Sequence, residues 1–305
     1  MIERISDHVF MIDLETGGYR EGIAVYVIIG DKGAALVDTG PKCSVGNLVE
    51  KLRAICEHDA VRYVLGTHIH LDHFGGAATA LRSLRSANIY VHPRGSKHVI
   101  NPEKLWSATL RVLGEIAEFY EKPDPAPEDR VLEIKDEEEL DLGNVSIWSI
   151  YTPGHAPHHV SYYIEPDGVM ITGDSVGIYY RGLLHPVSLH PFDLDNALDS
   201  IKRMISFSPR YVAFSHFGVD FSGVNVLEKG IEKIKKWCDI IGKIPPAYSF
   251  EKVYSEVLEK DPELKEIIHE RERIPYFKGS GRRCVYGLYM ALRATKVQQV
   301  DPSQR

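Results

Sequence analysis

The sequence predicts a four-layer α/β/β/α sandwich with a C-terminal helical appendage, and three observations carry that prediction. Short runs rich in β-branched residues open the chain and recur after residue 131, so two sheets are expected. Each set of strands is followed by apolar residues at helical spacing, the pattern of helices covering a sheet. From about Val224 onward the spacing stays helical.

The elements follow in order. Val9–Ile12 is a short apolar strand, residues 14–21 form a loop around Gly17-Gly18, and Ile23–Ile29 is a longer strand. Asp31-Lys32-Gly33 turns the chain into Ala34–Val37, which ends at Asp38-Thr39-Gly40; an antiparallel meander is expected. Val45, Leu48, Val49, Leu52, Ile55 and Cys56 share one helical face. Val61–Leu65 reads as a buried strand closed by Gly66, Ala77–Leu84 as a helix, and Ile89–Val91 as a strand. Leu105–Tyr120 reads as one helix before Pro123, Pro125 and Pro127. The 93–129 segment is thus either an insertion over a functional site or a surface helix and loop. Strands return at 131–134, 145–150, 160–164 and 169–172, a helix at 196–207 and a strand at 211–214. Beyond Val224, Leu227, Ile231, Ile234, Cys238 and Ile241 form one stripe, and further helices are expected near 253–258, 264–268 and 285–292. Residues 298–305 are polar, and a frayed end is expected there.

Composition narrows the function. The 305 residues carry a formal net charge of −7, which disfavours a nucleic-acid binder. Cys43, Cys56, Cys238 and Cys284 form no CxxC pair, so reduced structural thiols are expected. The first residues lack the apolar run of a signal peptide, and no stretch approaches the roughly 18 apolar residues of a membrane span. A cytoplasmic protein acting on a small molecule is expected, without nucleic-acid or membrane partners and with a homodimer as an option.

The chemistry concentrates in Thr67-His68-Ile69-His70-Leu71-Asp72-His73-Phe74-Gly75-Gly76. His68 and His70 are two apart, so on an extended backbone they point the same way; Asp72 continues the alternation, and His73 begins a turn into a helix. Imidazole and carboxylate together suit divalent zinc, iron or manganese. Such a pattern arises by chance in roughly one chain in several hundred to a thousand, so a solvated polar turn is a poor explanation. Three more candidates follow apolar strands: His155 in Thr152-Pro153-Gly154-His155, Asp174 in Thr172-Gly173-Asp174, and His216 in Ser215-His216-Phe217-Gly218. Alone, each would more often be ordinary surface; after a strand end they sit where scaffolds present functional groups.

HxHxDH followed by TPGH, TGD and a late histidine resembles the metallo-β-lactamase superfamily, over residues 1 to about 222. Asp38-Thr39-Gly40 fits the same pattern, and the THxHxDHxGG and TPGHxxxHxSYY segments are similar to the glyoxalase II-like hydrolases. The resemblance implies a catalytic domain at 1–222 and a helical extension at 223–305. It implies that His68, His70 and His155 bind one metal and that Asp72, His73 and His216 bind a second. Asp174 would bridge the two, and Asp38 would orient a ligand from behind. Two divalent ions are implied, zinc first, iron or manganese otherwise. The implied activity is hydrolysis of a thioester, lactone or similar acyl bond by a hydroxide held between the metals, with Asp72 as a proton relay. The alternatives are a mononuclear iron persulfide dioxygenase and a phosphodiesterase or nuclease. Tyr19, Arg20, Tyr179, Tyr180, Arg181, His158 and His185 are candidate substrate contacts, with loop packing as the competing reading; His92, His98 and His190 read as structural.

Overall fold

The structure is a computed structural model describing residues 1–300, with side chains described to residue 294. The expected frayed end at 298–305 falls largely outside the described residues. A seven-stranded sheet takes β1 (Ile2–Arg4), β2 (Val9–Asp13), β3 (Ala24–Gly30), β4 (Gly33–Val37), β5 (Val61–Leu65), β6 (Asn88–Val91) and β7 (Val131–Glu133) in sequence order. Its first four strands are antiparallel, as the meander predicts, and β4 to β7 are parallel. The second sheet draws on β8 (Glu139–Asp141), β9 (Ser146–Tyr151), β10 (Val160–Glu165), β11 (Val169–Ile171), β14 (Tyr211–Phe214) and β15 (Gly218–Asp220). Its spatial order is β15-β14-β11-β10-β9-β8. A hairpin, β12 (Ile178–Tyr180) and β13 (Leu183–His185), stands apart.

Strand alternation builds the four layers. Along β3, Ala24, Tyr26 and Ile28 face the second sheet, while Val25 and Val27 join Leu48 and Leu52 of the helix Val45–Arg53. Along β14, Ala213 faces the first sheet, while Val212 and Phe214 pack with Ile201 and Met204 of the helix Leu194–Ser206. The three apolar clusters are therefore the helix–sheet, sheet–sheet and sheet–helix interfaces of the predicted sandwich. Two buried tyrosines tie the sheets together. Tyr26 donates to Phe214 O at 2.7 Å, and Tyr162 donates to Gly66 O at 2.9 Å. Each such bond contributes about 1 kcal/mol net.

Several elements differ from expectation. The 93–129 segment holds three helices, Pro93–Ile100, Glu103–Leu113 and Glu115–Tyr120. The single helix expected at 105–120 breaks at Gly114, whose φ of 54° leaves the helical region. Strands β8, β12, β13 and β15, three residues each, carried no alternation long enough to read. The helix Val224–Gly242 does more than extend the chain: Leu227 and Ile234 complete the outer layer over the second sheet, while Trp237, Ile240 and Ile241 pack with Val253, Val257 and Leu264. Buried Asp261 accepts from Trp237 Nε1 and Lys233 Nζ, both at 2.7 Å, and holds this group together. All four cysteines are free. No helix among the described residues is long and apolar enough to cross a membrane.

His185 is placed away from the metal-ligand cluster described below. It is buried, stacked on Trp237 at 6.0 Å between ring centres, with Nδ1 3.0 Å from Pro186 O. Burial lowers its pKa from 6.5 to about 4. The unfolded chain binds the extra proton between those values, so stability is full above about pH 6.5 and falls as pH drops towards 4. We expect a His185→Gln variant to show a shallower acid loss than wild type, by about 2–3 kcal/mol between pH 7 and 4.5, in urea melts.

Candidate metal centre

Strand direction gathers the site. Because β9 and β11 both run antiparallel to β10, and β14 is parallel to β11, the loops after β9, β11 and β14 emerge at one edge of the second sheet. They carry His155, Asp174 and His216. His68 and His70 follow β5 of the first sheet, and Thr67 O accepts from Val160 N at 2.7 Å, joining that loop to the second sheet. Asp72 does not continue the extended alternation predicted for it. His70 directly precedes a short helix, Leu71–Phe74, and Asp72 and His73 both lie on it. The turn is what brings the His73 ring between its neighbours, 4.1 Å from the His68 ring centre and 4.7 Å from that of His216.

All seven predicted residues converge, in two groups. In one, His70 Nδ1 lies 2.9 Å from His68 Nε2 and 3.1 Å from His155 Nε2. In the other, His73 Nε2 lies 3.0 Å from His216 Nε2, and Asp72 Oδ2 lies 3.5 Å from His216 Nε2. Asp174 stands between: Oδ2 is 3.5 Å from His155 Nε2, while Oδ1 is 3.4 Å from His73 Nε2 and 3.5 Å from His216 Nε2. Each group can hold a metal ion.

These residues fit metals better than they fit each other. Asp174 Oδ1, on the side of His73 and His216, is buried without a hydrogen-bond partner. Ligand nitrogens about 2.0–2.1 Å from a tetrahedral zinc stand about 3.3–3.4 Å apart, close to the spacings here. Burial holds His68, His70 and His155 below the ordinary imidazole range, His70 down to about 3, so their lone pairs are free at neutral pH. His73 goes the other way. Burial opposes its cation, but Asp174 and Asp72 raise it well above its usual range. Burial alone would raise those two carboxyls; His73 and His216 hold them low instead. The second group thus keeps a proton where a divalent cation would displace it.

Supporting contacts fix the ligand rings. Asp38 accepts from the Thr67 amide at 2.8 Å and lies 3.3 Å from His73 Nδ1, leaving Nε2 to face the centre. Its left-handed backbone, φ 61°, turns the carboxylate under both. His155 Nδ1 is 3.0 Å from Val187 O. His159, present in the TPGHxxxH segment but given no role there, is fully buried; its Nε2 accepts the Asp174 amide at 3.0 Å, and Nδ1 is 2.8 Å from Thr152 Oγ1. Gly173, at φ 52°, permits this approach, since a Cβ there would stand 2.6 Å from His159 Nε2. We expect His159→Ala to lower metal affinity about 10- to 100-fold, measured by competition with a chelator.

The other candidates scatter. His158 lies beside His70, with ring centres 5.9 Å apart. Tyr179 is stacked on Phe214, and the Arg181 and Arg271 guanidinium groups both lie over the Tyr180 ring. Arg181 pairs with Glu21 and Arg20 with Glu15, both at the surface. His92 caps the helix Pro93–Ile100 by accepting from Arg94 N. What sequence reading missed is the cover: Phe277 lies against the His216 ring at 5.4 Å, and Tyr120 and Tyr276 pack beside it.

Comparison with known proteins agrees with this architecture. The family model of the metallo-beta-lactamase superfamily matches residues 18–216. The metallo-beta-lactamase fold-containing protein ST1585 of Sulfurisphaera tokodaii is 32% identical over 207 residues, 66% of this chain and 75% of that one. The probable metallo-hydrolase YybB of Bacillus subtilis is 26% identical, over 70% of this chain and 90% of its own. Among solved structures, a metallo-beta-lactamase family protein from Thermus thermophilus superposes with a TM-score of 0.64 at 19% identity, covering 91% of this chain and 89% of that one. The chain belongs to the metallo-β-lactamase superfamily, whose members bind metal ions and are largely hydrolases.

Proposed function

We propose that the protein is a binuclear metallohydrolase of the glyoxalase II-like kind, cleaving a thioester, lactone or similar acyl bond. The observation that carries this is the placement of Asp174, with one carboxylate oxygen towards each histidine group. His68, His70 and His155 would hold one ion, Asp72, His73 and His216 the other, with Asp174 shared. Two such ions would supply Lewis acidity and a hydroxide at neutral pH. The chain's own residues do the rest. Asp38 and His159 fix the ligand rings and the shared carboxylate. Asp72, whose side chain is 24% exposed, is the carboxylate that reaches solvent and can pass a proton outward. A complete second group favours this reading over the mononuclear dioxygenase.

The test is a screen of zinc-loaded protein against acyl thioesters, lactones and bis(p-nitrophenyl) phosphate. Turnover of an acyl substrate, abolished by chelation and restored by zinc, is expected. Oxygen consumption with a persulfide by iron-loaded protein, and no acyl hydrolysis, would overturn the proposal.

A further inference from the structure

A file of aromatic rings runs from the surface to the metal centre, drawn from three distant segments. Tyr19 follows the turn Thr16–Gly18, Phe119 and Tyr120 end the helix Glu115–Tyr120, and Tyr276 and Phe277 belong to the turn Pro275–Phe277. Phe119 stacks on Tyr276 at 5.8 Å, and Tyr276 stands 6.4 Å from Tyr19 and 4.9 Å from Phe277. Phe277 then meets the His216 ring edge-on. Tyr19 and Phe119 are exposed, whereas Tyr276 and Phe277 are buried at 3% and 4%. Arg271 pins the turn, donating to the Glu21 and Gly22 carbonyls with its guanidinium over the Phe277 ring.

One polar atom in this file has no partner. The Tyr276 hydroxyl is buried and makes no hydrogen bond. A tyrosine serving packing alone donates to backbone, as Tyr26 and Tyr162 do; leaving a buried hydroxyl unpaired is unfavourable. The hydroxyl abuts Gly22, where a Cβ would collide with it. Both it and the Tyr120 hydroxyl feel the charge of Asp72, and burial, acting first, keeps each phenol protonated.

We propose that Tyr276 is a substrate-contacting residue whose hydroxyl donates to an oxygen of an acyl substrate, with the apolar part of that substrate lying against Phe119 and Tyr19. This rests on the hydrolase reading. The phenol is fixed by its ring contacts but closed off at rest, so the substrate reaches the hydroxyl by displacing the exposed Phe119 and Tyr19 rings that cover it.

The experiment measures hydrolysis of acetyl and octanoyl thioesters of N-acetylcysteamine by zinc-loaded wild type, Tyr276→Phe and Gly22→Ala. Tyr276→Phe keeps the ring and removes the hydroxyl; Gly22→Ala keeps every functional group and displaces the hydroxyl. Both should lose about 10- to 100-fold in kcat/KM, with metal content unchanged and melting temperature no lower than wild type for Tyr276→Phe. Octanoyl should be preferred over acetyl by wild type. Wild-type turnover matched by an undiminished Tyr276→Phe overturns this proposal alone. Absence of wild-type turnover overturns the hydrolase reading, and this proposal with it.

Discussion

Replacing Asp174 by alanine should abolish turnover and strip metal from both halves of the centre. No other side chain in the cluster presents one oxygen to each histidine group. Its loss removes a ligand from each ion at once and leaves His73 and His216 facing each other at 3.0 Å without the carboxylate between them. We expect kcat/KM to fall by at least about 10⁴-fold, with metal per chain well below that of wild type after gel filtration. His155→Ala, by contrast, should weaken chiefly the first ion. An Asp174→Ala variant that retained both ions would show that the two groups do not share this carboxylate.

Asp72→Asn should separate binding from chemistry. The amide oxygen preserves a weaker ligand in the same volume, while the charge and the proton-accepting capacity are lost. Beside His216 and partly open to solvent, Asp72 is placed to carry a proton between the centre and bulk water. We expect kcat to fall by about 10²- to 10³-fold with KM little changed and most of the metal retained. Wild-type kcat in a fully loaded variant would remove the relay role and leave Asp72 as a ligand only.

What the sequence made legible follows from how local each signal is. His68, His70, Asp72 and His73 fall within six residues, so their convergence can be read directly. His155, Asp174 and His216 were readable only because each follows an apolar strand, and strand ends of like direction meet at one sheet edge. The helical placement of Asp72 was missed because Leu71–Phe74 is a single turn, too short for a period to show. Strands β1, β8, β12, β13 and β15, three residues each, were missed for the same reason, whereas β7 and β11, equally short, showed as apolar runs. His159 looked like any polar residue entering a strand; its role needs the Asp174 amide, fifteen residues away. Tyr276 and Phe277 carried no signal at all. Their meaning comes from a contact with His216 and with the 16–19 and 115–120 segments, which only the folded chain brings together.

Metal content tests a shared two-metal centre most directly. Protein purified without added metal should carry about two zinc ions per chain by plasma mass spectrometry, and Asp174→Ala little or none. One iron per chain with little zinc, unchanged on zinc addition, would contradict the two-metal account and turn the site over to oxygen chemistry.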